Sequence, residues 1–138
     1  MEISLEKVNH LIARVVERAE NEFKRPVCVA VCDNYGFLLA FARMPGATLR
    51  SIPIAQRKAY TSAFMGMDTE AFAERLKREN VPASYFCDEQ LTGLSGGVVL
   101  RNSAGESIAA AGVSGLTPPE DQALAQMMAA LSQSSTSI

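Results

Sequence analysis

Few residues in this chain can carry chemistry. Its 138 residues hold one histidine, His10, and three cysteines, Cys28, Cys32 and Cys87. An imidazole is the usual proton shuttle and metal ligand near neutral pH. A nucleophile–His–acid triad would have to use His10, and helical periodicity sets that residue opposite the centre of the first apolar stripe, on the face shared with Glu6, Arg14, Glu17 and Asn21. Read from the residues alone, His10 is a solvent-facing side chain rather than a core histidine. With no Cys-x-x-Cys spacing beside it, the ligand set of a zinc site is missing. Cys28 and Cys32 share one strand face four residues apart, roughly 13 Å at ~3.3 Å per residue, which no disulfide spans. All three cysteines read as reduced, buried packing residues. Neither a GxxxxGK[ST] phosphate loop nor a metalloprotease HExxH is present.

Two cations stand in apolar surroundings. Arg43 follows Phe37 and Phe41 on one face of a strand; it reads either as a strand end reaching water or as a guanidinium clamp for a carboxylate. Lys58 sits near Ile54, Ala55, Ala59 and Thr61, where snorkelling is the simple account and ligand charge pairing the functional one. Gly96, Gly97 and Gly112 allow close backbone approach by a ligand or by a helix packed on a sheet, with packing the better fit for Gly112. Asp33 belongs to a turn.

The elements that position these residues are legible. Val27 to Met44 holds two apolar runs folded about Asp33-Asn34-Tyr35-Gly36, a hairpin whose Asp and Asn bond their own backbone and whose Gly closes the loop. A second hairpin runs from Gly97-Val98-Val99-Leu100-Arg101 through Asn102-Ser103-Ala104-Gly105 to Ser107–Gly115. Apolar residues from Leu5 to Phe23 recur at three- and four-residue spacing, predicting a helix capped by Ser4. Helices are also predicted over Arg50 to Met65, with Ser51 as cap, and from Asp68 or Thr69 to about Glu79. Thr117-Pro118-Pro119-Glu120 is a capping box opening a fourth helix from Asp121 to about Ser132. Strands in hairpins with about four helices predict an antiparallel sheet in an α+β fold. Val27, Val29 and Val31 alternate with Cys28, Ala30 and Cys32, so both sheet faces require cover, from helices or a neighbouring subunit. The stretch Ala83 to Leu94 gives no clear pattern, and Ser132 to Ile138 reads as a low-complexity tail.

Length and an apolar share near half fit one domain over residues 1–138. A net charge of −2 without a dense Lys/Arg block argues against nucleic acid and anionic membranes as partners. The start, Met1-Glu2-Ile3-Ser4, lacks a signal-peptide pattern and no run approaches a membrane span, so a cytoplasmic location is expected.

Several motifs occur in order: a first helix, PVCVAVCDNYGFLLAFARM, Ala55-Gln56-Arg57-Lys58-Ala59-Tyr60-Thr61, Met67-Asp68-Thr69, Gly96-Gly97, Ala111-Gly112-Val113-Ser114-Gly115 and Asp121. Together they resemble, over nearly the whole chain, the GlcG and HbpS family of small haem-associated proteins, which includes the C-terminal domain of the adenosyltransferase PduO. The resemblance implies a profilin-like fold with an antiparallel sheet of about five strands, a homo-oligomer, and haem binding, with a corrinoid as the alternative ligand. It makes His10 a candidate ligand to haem iron, and Arg43, Lys58, Gly96 and Gly97 candidate cofactor-binding residues. Two departures stand out: Asp68 replaces a proline expected before the Thr, and Val98-Val99 replace a proline expected after Gly-Gly, beside the presumed ligand region. The implied function is small-molecule binding, as carrier, sensor or auxiliary factor in a metabolic operon. Haem breakdown, help to a cobalamin-dependent dehydratase, and a ligand-free oligomeric scaffold are the alternatives.

Overall fold

A computed structural model describes residues 2–134. Its elements are α1 (Leu5–Arg18), continued by a π-helical turn over Ala19–Phe23; β1 (Cys28–Cys32); β2 (Leu38–Arg43); α2 (Ser51–Met65); α3 (Thr69–Glu79); a 3₁₀ turn over Ala83–Phe86; β3 (Gly97–Arg101); β4 (Ser107–Ser114); and α4 (Pro118–Gln133). The strands form one antiparallel sheet in the order β2-β1-β4-β3. The α+β expectation holds, with the four strands of the two hairpins rather than about five. Ala83 to Leu94 supplies no strand: it makes a 3₁₀ turn and a loop held to α2 by a hydrogen bond from the Tyr60 hydroxyl to Asp88 and one from Thr92 N to Thr61 Oγ1.

Both hairpins close by one device. Asp33 Oδ1 accepts the N–H groups of Tyr35 and Phe37 at 2.9 and 3.0 Å, and Asn102 Oδ1 accepts those of Ala104 and Glu106 at 3.0 Å each. Ser4 Oγ accepts from Lys7 N to cap α1, and the Thr117–Glu120 capping box opens α4. Two caps differ from expectation. Ser51 lies inside α2 with its hydroxyl bonded to Thr48, so it caps nothing. Asp68 stands at the N-cap of α3 without a side-chain bond to the helix, because its Oδ1 accepts Val99 N and Thr69 Oγ1 accepts Gly97 N. Those strand N–H groups lie along the outer edge of β3, where the sheet itself offers no acceptor.

Helices cover both faces of the sheet. On one, Val27, Val29, Val31, Val98, Leu100, Ala111 and Val113 meet Val8, Leu11 and Val15 of α1 and Leu124, Ala125 and Met128 of α4. On the other, Cys28, Ala30, Cys32 and Ala110 meet Ala55 and Ala59 of α2. No neighbouring subunit is needed to bury β1 or β4. Small residues on this second face let α2 lie close to the sheet: a Cβ at Gly112 would overlap the Ala55 carbonyl oxygen and crowd Ala59 N.

The expected tail begins inside α4. Ser132 is buried in α4, its hydroxyl donating to Arg101 O at 2.8 Å and its carbonyl accepting from Lys7 Nζ at 3.0 Å. Gln133 ends α4, and residues 135–138 of the expected tail lie outside the described residues.

Because backbone rather than a movable side chain blocks Gly112, Gly112→Ala is expected to destabilise the fold by about 1–3 kcal/mol or more. A lowered midpoint in urea unfolding checks this.

Candidate functional site

A buried polar cluster forms around Lys58. Helix α2 turns residues 51, 55, 58, 59 and 62 inward, so Lys58 falls on the buried face at 3% side-chain exposure. Its ammonium donates to Val113 O at 2.8 Å and to Asp121 Oδ2 at 3.1 Å. Asp121, in the first turn of α4 at 5% side-chain exposure, accepts from Leu116 N through its other oxygen at 3.0 Å. This is not snorkelling. Burial pushes the Lys58 pKa down and that of Asp121 up, each opposed by the partner's charge. Both directions favour the neutral forms, so desolvation outweighs attraction on each side of the pair.

Gly96 and Gly97 pack into the same cluster. A Cβ on Gly96 would stand 2.6 Å from Val113 O and 2.8 Å from Lys58 Nζ; one on Gly97 would stand 2.5 Å from Lys58 O. Gly96 N donates to Gln122 Oε1 at 2.8 Å, while Gln122 Nε2 is buried without a partner among the described residues. The glycines thus admit protein, as Gly112 does. Val98 and Val99 continue β3 beyond them.

The structure unites Lys58, Gly96 and Gly97 but not His10 or Arg43. His10 is half-buried on α1, in the helical layer across the sheet from α2. Arg43 ends β2 opposite Cys28, on the α2-facing side, and is exposed. The cysteines divide. Cys28 and Cys32 are buried, and burial raises both thiols, Cys32 up to about 12. Cys87 is exposed, a correction to its expected burial: it ends the 3₁₀ turn with its backbone at φ 63° in a loop outside the core.

Sequence reasoning missed two features. Lys58 and Asp121 find each other at a sequence separation of 63; only the coincidence of a Lys on the small-residue face of α2 with an Asp after a capping box hinted at it. The second is an aromatic surface beside the first hairpin. Gly36 abuts the Tyr60 ring, Tyr60 stacks on Phe64 at 5.8 Å between centroids, and Tyr35, Phe37, Leu38 and Phe64 are all more than half exposed. Three surface hollows are lined by Glu2, Ile3, Asp33, Asn34, Tyr35, Leu39 and Ile108; by Glu20, Lys24, Arg25, Pro26, Met44 and Pro45; and by Pro53, Gln56, Arg57, Glu89 and Gln90. None of these is lined by the five sequence-selected residues. Among the described residues no group of three or more His, Cys, Asp or Glu is placed to hold a metal ion, and no helix is long and apolar enough to cross a membrane.

The sequence profile described as haem degrading protein HbpS-like matches residues 3–130. The chain belongs to the HbpS-like family. As an HbpS-like chain it is 32% identical over 122 residues to an uncharacterized 15.0 kDa protein of Citrobacter freundii from the dhaT–dhaS intergenic region, covering 83% of this chain and 82% of that one. Its fold matches a crystal structure of a PduOC:heme complex with a TM-score of 0.84 and 26% identity over 94% of both chains. A double mutant of Streptomyces reticuli HbpS matches with a TM-score of 0.84 and 30% identity over 95% of this chain and 87% of that one. In this HbpS-like chain the Lys58 ammonium is engaged by Val113 O and Asp121, and Gly96 and Gly97 pack against it.

Two outcomes follow. Lys58→Met, which strands the buried Asp121 carboxylate, is expected to cost about 3–5 kcal/mol, and adding Asp121→Leu should recover part of that in chemical denaturation. At pH 8 a thiol reagent should label Cys87 quickly and Cys28 and Cys32 only on unfolding, as counted by mass spectrometry. In the unfolded chain Cys32 ionises near 9.0 but in the folded chain near about 12, so its contribution to stability falls as pH rises through that window.

Proposed function

We propose that this chain binds haem, or a closely related tetrapyrrole, as a carrier, sensor or auxiliary factor. The observation that carries this reading is the match of the whole fold to a relative crystallised as a heme complex. Bound haem would supply a redox-active, ligand-binding iron that no side chain here provides.

The residues present fit such a group at the surface. His10 is the sole imidazole of the sequence, partly accessible on α1 and away from the core stripe. Three competitors are handicapped, Cys28 and Cys32 being held as thiols by burial and the Tyr60 phenol donating to Asp88, whose carboxylate raises its pKa, while Cys87, Tyr35 and Tyr85 are exposed. Arg43 is exposed and makes no ion pair among the described residues, which leaves its guanidinium for a propionate. Lys58 has no such freedom. Since His10 and Arg43 lie in different layers, a haem using both would lie between two copies of the chain.

Haem breakdown is the second reading, favoured by the family's description. Absorbance titrations separate the possibilities. Hemin should give a shifted Soret band, and His10→Ala should weaken binding at least tenfold with unchanged far-ultraviolet circular dichroism. An unchanged titration removes His10 from the site. A Soret band stable to reductant and oxygen supports a binder, its timed loss supports degradation, a response to cobalamin alone shifts the ligand to a corrinoid, and silence to both leaves the scaffold reading.

A further inference from the structure

The loop between α3 and β3 is fixed at both ends and nearly free in its middle. Phe86 packs edge-on against the buried Phe72 ring, 5.5 Å between centroids, and the Arg75 guanidinium lies 5.0 Å over the Phe86 ring. Leu91 is buried, and Thr92 N donates to Thr61 Oγ1 at 2.9 Å. Between these anchors Cys87, Glu89 and Gln90 are exposed. Among the described residues, one hydrogen bond joins Cys87–Gln90 to anything outside the loop: the Tyr60 hydroxyl donates to Asp88 Oδ2. Asp88 Oδ1 accepts Gln90 N at 2.9 Å and the Asp88 carbonyl accepts Leu91 N at 3.3 Å, so the residue that meets α2 also shapes the tip. Cys87, where the tip leaves the 3₁₀ turn, has φ 63°, a left-handed backbone that a residue with a side chain keeps only where its surroundings hold it.

Tyr60 has a second contact far from this loop. Its ring lies against Gly36 in the first hairpin turn, where a Cβ would stand 2.7 Å from Tyr60 Cδ1, and it stacks on Phe64. The turn and Phe64 thus hold the ring so that its hydroxyl meets Asp88. We propose that Cys87–Gln90 is a flap beside α2, hinged at Phe86 and Leu91, latched by Tyr60 to Asp88, and set by the first hairpin turn through the Tyr60 ring. Glu89 and Gln90 of the flap share a hollow with Pro53, Gln56 and Arg57 of α2. Release of the latch widens that hollow around the Arg57 guanidinium, which makes no ion pair among the described residues. The exposed Tyr35 and Phe37 flank Gly36, so a contact on the turn is felt at the flap through one aromatic ring.

The device is independent of haem and is read on the ligand-free protein by residue-resolved amide hydrogen exchange at pH 7. Tyr60→Phe keeps the ring and removes the hydroxyl. It is expected to speed exchange at Gln90 and Leu91 about tenfold or more, the share of a hydrogen bond to a charged group, while Thr92 and the amides of β3 keep their wild-type rates. Gly36→Ala, which pushes the ring aside, should give the same pattern at Gln90 and Leu91. In the double variant Gly36→Ala/Tyr60→Phe those two amides should exchange no faster than in Tyr60→Phe, because both changes act through one bond. Wild-type rates at Gln90 and Leu91 in Tyr60→Phe, an increase that spreads equally to Thr92 and β3, or a double variant in which the two effects add overturns the proposal.

Discussion

The ion pair between Lys58 and Asp121 is the constraint on which the rest of this structure turns. Helices α2 and α4 pack on opposite faces of the sheet, yet a side chain from each meets the other at the end of β4, alongside the Val113 carbonyl. That meeting demands a thin sheet-to-helix spacing on the α2 side. Gly112, Gly97, Ala30 and Ala110 provide it, and each would be a poor choice for a strand whose neighbour stood at ordinary distance. Removal of one charge strands the other in a dry interior; enlargement of a glycine pushes the helix away from both.

A filled interior has consequences for ligand binding. Branched side chains occupy one face of the sheet and small residues the other, and the ammonium that looked available for a carboxylate ligand is already satisfied. Groups left open at the surface are His10 in the helical layer, Arg43 at the strand end, and the aromatic patch around Phe37 and Phe64.

Local signals were legible from the amino acids because their physics is local. The turn-closing carboxylate of Asp33 and amide of Asn102, the capping box at Thr117 and the stripe of α1 each act within a few residues. What sequence reasoning misread depends on partners far along the chain. Lys58 looks like a snorkelling cation until Asp121 is placed beside it, Asp68 and Thr69 look like helix caps until β3 presents its bare edge, and Ser132 looks like tail until Arg101 offers a carbonyl. Cys87 was misjudged for the opposite reason, since its composition suggests burial while its loop carries it outward. The candidate site was legible only as residue types; which of them converge was not.

The strand order carries a further consequence, for the route to the folded state. Each hairpin closes between near neighbours, but the central ladder joins β1 to β4, Val29 to Val113, with α2 and α3 synthesised in between. Loop-closure entropy for that join is met only when both hairpins and α2 are already placed. Docking one hairpin on the other closes a far longer loop than either hairpin turn and so carries the larger entropic cost. Until it happens, the apolar edges of β1 and β4 stand open to the wrong partner.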